Sequence, residues 1–119
     1  MTITEMAKMS QEHSVLKGFT ADLLTNPYKV YKALVLIHGE VTEAVDEYAA
    51  HGTEAYYSID AQGNNKPEGI AAELADVVLR IGNLSRALGL DLEAAIIEKH
   101  TYNLTRGWRH GKEGTEGPG

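Results

Sequence analysis

Residues 26–52, NPYKVYKALVLIHGEVTEAVDEYAAHG, decide the fold. Asn26 ahead of Pro27 reads as an N-cap followed by proline at the first helical position, where the missing N–H has no intrahelical partner to lose. From there Val30, Leu34, Ile37, Val41, Ala44, Val45 and Tyr48 recur at steps of three and four, one apolar stripe on a helix. Gly52 supplies the stop. The segment therefore predicts a long amphipathic helix over about 27–51.

Two further helices follow from the same signals. One is expected over 67–88, opening at Pro67 and placing Ile70, Leu74, Val77, Val78, Ile81, Leu84 and Leu88 along its buried side, with Gly89 as its end. Asp91 then caps a third helix over 91–108, through Leu92, Ile96 and Leu104. So short a link makes these two antiparallel neighbours. Before residue 25, Met6, Met9, Leu16, Phe19 and Leu23 predict one helix or two short ones interrupted near Gly18. The stretch 53–66, with Tyr56, Tyr57 and the turn-forming GNN, reads as a loop with room for a short hairpin. No strand pattern competes with the helices, so the expected class is all-α. Residues 1–110 are read as a single domain. Residues 111–119, glycine and charge without an apolar anchor, are read as a disordered tail.

Composition narrows the function. With 119 residues, 43% of them hydrophobic and 24% charged, the chain falls in the range of a one-domain globular protein. A core this small is a modest source of stability, and association of copies is a common way to extend it. The net charge of −6 argues against a broad basic face for nucleic acid. There is no cysteine, which excludes disulfides, thiolate metal sites and a thiol nucleophile. The opening MTITEMAKMS lacks the apolar run of a signal peptide, and no stretch approaches the roughly 18 apolar residues of a membrane span, so the expected location is the cytoplasm, without membrane contact.

The acids on the first two long helices carry the most chemical information. Glu40, Glu43 and Glu47 step by three and four and share one face, beside the apolar stripe. Glu73 and Asp76 border the stripe of the next helix in the same angular sense. If the stripes pack together, Glu40, Glu43, Glu73 and Asp76 meet along one rim of the seam. Two unit charges about 5 Å apart repel by roughly 3 kcal/mol at an effective dielectric of about 20. Several such pairs rival the stability of a small domain, so the cluster needs protons or cations. All-oxygen donors favour hard ions, Mg²⁺ or its substitute Mn²⁺, over zinc. The competing reading is a solvated acidic face. Arg80, four residues after Asp76, is expected to form an ordinary helix ion pair with it.

On the third helix Lys99, Asn103, Arg106 and His110 continue the side begun by Leu92 and Ile96. Lysine and arginine in that place suit phosphate oxygens. The plainer account is that they complement the helix C-terminus. His38 and His100 read as packed or solvated, Tyr102 and Trp108 as core aromatics, and GWRHGK, which ends a helix instead of opening one, is not a phosphate-binding loop.

Three blocks, LIHGEVTEAVDEY (36–48), KPEGIAAELADVVLRI (66–81) and GLDLEAAIIEKHTYNLTRGWRHGK (89–112), resemble the MazG-like nucleoside triphosphate pyrophosphohydrolases of the all-α NTP pyrophosphatase superfamily. The resemblance spans roughly residues 27–112, with the blocks in the family's order. It implies a helical bundle completed by oligomerisation, as a homodimer or homotetramer. It also implies Mg²⁺-dependent cleavage of the α–β phosphoanhydride of a nucleoside triphosphate, giving a monophosphate and pyrophosphate. By the same resemblance Glu40, Glu43, Glu73 and Asp76 are the metal ligands, one of them a possible general base, and Lys99, Asn103 and Arg106 contact phosphates. Gly39 stands where many members carry a further glutamate, which bears on metal number and substrate preference. Two alternatives are a phosphoribosyl-ATP pyrophosphohydrolase, which shares the core and the acid pairs, and a non-catalytic helical module for self-association or binding.

Overall fold

Asn26 caps as expected: its side chain accepts from Tyr28 N at 3.1 Å, Pro27 occupies the first turn, and Gly52 ends the helix with its N–H on Tyr48 O at 2.8 Å. The structure is a computed structural model that describes residues 1–17 and 26–107. It contains α1 (Ile3–Leu16), α2 (Pro27–His51), β1 (Tyr56–Ile59), β2 (Asn65–Glu68), α3 (Ile70–Ala87) and α4 (Leu92–Thr105). The chain is thus mainly helical with one small antiparallel hairpin. Gly18, Phe19, Leu23, Trp108, His110 and the expected 111–119 tail lie outside the described residues.

The hairpin corrects the expected helix start at Pro67. Residues 65–68 pair with 56–59, Tyr57 opposite Pro67, and α3 opens only at Ile70. Asp60 closes the connection, its carboxylate accepting from Gln62 N at 2.9 Å and Asn64 N at 2.8 Å. Between strand and helix stands Gly69 at φ 104°, where any Cβ would lie 2.5 Å from Glu54 O. That combination of left-handed backbone and close approach admits glycine alone, and it ends the strand and starts the helix in one residue. At the other end of the helical pair α4 also stops earlier than expected, at Thr105.

α3 is the central element. α2 packs along it and α1 packs on its C-terminal half, while α4 touches α3 and α1 only lightly. α1 opens with a capping box in which Glu5 N donates to Thr2 Oγ1 at 3.0 Å and Thr2 N to Glu5 Oε1 at 2.9 Å. It then lies so close to α3 that a Cβ on Gly82 would meet Met6 Sδ at 2.7 Å and Ala7 Cα at 3.0 Å. Gly82→Val is therefore expected to destabilise the protein by about 1–3 kcal/mol, read from urea unfolding, because backbone on the opposing helix leaves the branched side chain no room.

Burial inside one chain is sparse. Among the described residues the buried apolar side chains are Ala7, Ala44, Leu84 and Ala87, and no large side chain is fully enclosed. The face of α2 turned to α3 differs from the expected stripe. The row that is wholly or partly covered runs Val30, Ala33, Ile37, Glu40, Ala44, Glu47, whereas Leu34, Val41, Val45 and Tyr48 stay open, Val45 being 62% exposed. Residues 33–37 are apolar all round, so periodicity alone did not say which edge of the wide stripe faces inward. The consequence is that two glutamates share the seam.

Candidate metal centre

The α2–α3 seam brings together three of the four expected acids, Glu40, Glu73 and Asp76. Glu40 lies in the covered row of α2, and Glu73 stands one turn into α3 with Asp76 a turn further on. One ligand atom from each of Glu40, Glu73 and Asp76 lies within 4.8 Å of the others. Glu40 and Glu73 are half-buried and Asp76 is exposed. Glu43 is exposed and stands outside this trio, near enough for its charge to act on Glu73.

Glu73 bears the cost of this arrangement. Its burial first, and then the charges of Glu43, Asp76 and Glu40, push its carboxyl above the ordinary value of 4.5. Burial disfavours the charged form, and each neighbouring anion adds to that. The group is thus held ready to be neutralised by a proton or a cation.

The donor set fits a hard divalent ion. Adjacent oxygens around Mg²⁺ stand about 3 Å apart and opposite ones about 4 Å, given bonds of about 2.1 Å. A cluster spanning 4.8 Å needs only small rotations of the carboxylates to reach that spacing. The donors are oxygens throughout, with neither imidazole nor thiolate to draw a softer metal.

Arg80 departs from expectation. Its Nε lies 2.9 Å from Glu40 Oε1, across the seam, instead of pairing with Asp76 along its own helix. Glu40 keeps only 13% of its side chain exposed and Arg80 47%. The less solvated carboxylate attracts the guanidinium more strongly than the exposed Asp76 does. Glu47 departs too. It shares a face with Glu40 and Glu43, but its carboxylate accepts from the Tyr56 hydroxyl at the root of β1. That bond, with burial and the nearby acids Glu47, Glu68 and Glu54, pushes the Tyr56 phenol up to about 12. Across the hairpin Ser58 Oγ donates to Glu68 Oε2 at 2.8 Å, so a second pair of polar contacts braces the base of the ribbon beside the acid rim.

The cationic set on α4 forms a group of its own. Lys99 Nζ lies 5.2 Å from the centroid of the Tyr102 ring and Arg106 Cζ 5.7 Å from it. Tyr102, expected in the core, is 55% exposed between these two cations, a cation–π arrangement that needs an accessible ring face. Asn103 is half-buried, with its Oδ1 buried and without a hydrogen-bond partner. His38 and His100 are both exposed. Within one chain α4 packs on α3 and α1 and buries no residue completely, so the α4 set is not packed into the acid seam.

The contributions that periodicity missed are Arg80 and Tyr56. Spacing along a single helix assigned Arg80 the wrong partner, and only the hairpin brings Tyr56 to Glu47. No helix among the described residues is long and apolar enough to cross a membrane. Comparison with protein-family models, with curated proteins and with solved structures gives no match.

Proposed function

We propose that this chain is a Mg²⁺-dependent nucleoside triphosphate pyrophosphohydrolase, which adds water across the α–β phosphoanhydride to give a nucleoside monophosphate and pyrophosphate. The observation that carries this reading is the meeting of Glu40, Glu73 and Asp76 within 4.8 Å across a helix seam. The three sequence blocks that resemble the MazG-like family support it, since three of the four acids they align, Glu40, Glu73 and Asp76, lie together.

Glu40, Glu43, Glu73 and Asp76 are the residues to hold the metal. When bound, Mg²⁺ supplies charge that offsets the phosphate oxygens and acidifies water at the site. The carboxylates orient the attacking water, and one of them accepts its proton as the oxygen bonds to the α-phosphorus. Lys99, Asn103 and Arg106, which stand apart from the acid seam within one chain, are assigned to the phosphates by the resemblance alone, as cationic and amide donors that offset the charge gathering on the departing pyrophosphate. A homodimer or homotetramer is the assembly that goes with this reading, and the cytoplasm its setting.

The test is pyrophosphate release from a panel of ribo- and deoxyribonucleoside triphosphates and phosphoribosyl-ATP, with Mg²⁺ and with chelator. Release from at least one nucleoside triphosphate with Mg²⁺, and none with chelator, is the expected result. Release from phosphoribosyl-ATP alone would move the assignment to the histidine-pathway type of enzyme. Silence on every substrate, with melting unchanged by Mg²⁺, would leave a non-catalytic helical binding module.

A further inference from the structure

The same seam that gathers the acids also places a cation on them. Arg80 extends from α3 to Glu40 on α2 and meets it at 2.9 Å, while Glu40 belongs to the trio whose ligand atoms lie within 4.8 Å. An ion pair at the surface contributes little by itself. This one is different in kind, because its acid is mostly withdrawn from water and stands among other acids. Such a carboxylate cannot be left without a countercharge at modest cost. A guanidinium is suited to the place: it stays charged at any physiological pH and engages a carboxylate in a fixed plane.

We infer that Arg80 is a built-in countercharge, a positioning residue that stands in for the divalent cation beside Glu40 in the metal-free protein, holds that carboxylate in the seam, and yields it when the cation binds. The inference rests on reading the acid cluster as a cation site. It adds to that reading a competitor supplied by the chain itself. A positive charge next to a cation site opposes binding, so the arginine stabilises the empty seam and at the same time weakens the metal's hold. Arg80 therefore sets the metal affinity, in the direction opposite to that of a ligand.

The experiment is Mn²⁺ titration of the full chain by calorimetry, at low and high ionic strength, on wild type, Arg80→Gln and Arg80→Lys, with melting measured with and without Mn²⁺. Arg80→Gln is expected to bind Mn²⁺ about tenfold more tightly at low salt, an advantage that shrinks at high salt as charge is screened. It should melt below wild type without metal and gain more from Mn²⁺. Arg80→Lys, which keeps the charge, should bind close to wild type. Wild type that binds Mn²⁺ while Arg80→Gln binds equally or more weakly would overturn the inference and leave the cation site standing. Wild type that binds no Mn²⁺ at any salt would remove both. Should Arg80→Gln not fold, ¹⁵N-labelled wild type decides: the Arg80 Nε–H signal should move on adding diamagnetic Mg²⁺, and a signal that stays put while Mg²⁺ binds would overturn the inference.

Discussion

On the proposed function, Asp76→Asn is expected to lower Mg²⁺-dependent pyrophosphate release by about 10²–10³-fold with helix content unchanged, since losing the charge of a metal ligand would remove several kcal/mol of transition-state stabilisation at about 1.4 kcal/mol per tenfold. Asparagine keeps the shape and one oxygen, so what disappears is charge. Circular dichroism separates this outcome from unfolding. Glu73→Gln should lower turnover to a similar degree and also reveals the electrostatics of the acid cluster. Burial and the neighbouring acids raise the Glu73 carboxyl above 4.5, so the folded chain binds this proton more tightly than the unfolded chain does. The contribution is most favourable below 4.5 and is lost as pH rises from there through the raised folded value. Metal-free protein should thus lose stability over that window, Mg²⁺ should oppose the loss, and Glu73→Gln should flatten the slope in thermal melts taken across pH. A slope that is unchanged in the variant would mean that Glu73 does not carry the strain.

The second large effect concerns the open side of α2. Leu34, Val41, Val45 and Tyr48 are 50%, 44%, 62% and 56% exposed, and the apolar residues buried inside the chain are few and mostly alanine. A contiguous apolar stripe left to water on a folded chain marks an association surface. The protein is expected to sediment as a dimer or tetramer, and Val41→Glu with Val45→Glu to shift it to the monomer. A fully exposed valine gains roughly 1.5–3 kcal/mol on burial, and about half of that remains to be gained at each of these positions, so the pair should lower the melting temperature by about 5–15 °C. A monomeric wild type in equilibrium sedimentation at micromolar concentration would refute the assignment of this face.

Much of the fold was legible because punctuation is local. Asn26–Pro27, Gly52, Gly89 and Asp91 marked helix ends through hydrogen bonds made within a few residues, and the structure shows those bonds. The meeting of Glu40 with Glu73 and Asp76 was legible too, because ExxE and ExxD spacings fix a shared side on each helix. What escaped depends on neighbours far along the chain. The inward edge of α2 is chosen by which residues α3 can approach, and Ala44 is the position where the helix is fully buried, whereas its neighbours Val41 and Val45 stay exposed. Arg80 chose Glu40 over Asp76 because the tertiary seam offered a less solvated partner. Pro67 looked like a helix opener, and the strand pairing of 65–68 claimed it first.

The hairpin has a consequence for how the acid centre comes into being. α2, the ribbon and α3 are consecutive in sequence; Glu47–Tyr56 ties α2 to the ribbon over nine residues, and Ser58–Glu68 braces the two strands of the ribbon over ten. Closing loops that short costs little chain entropy, and topologies rich in near-neighbour contacts are the ones that assemble quickly. The unfavourable gathering of carboxylates is therefore imposed by a nearby clasp in the polypeptide.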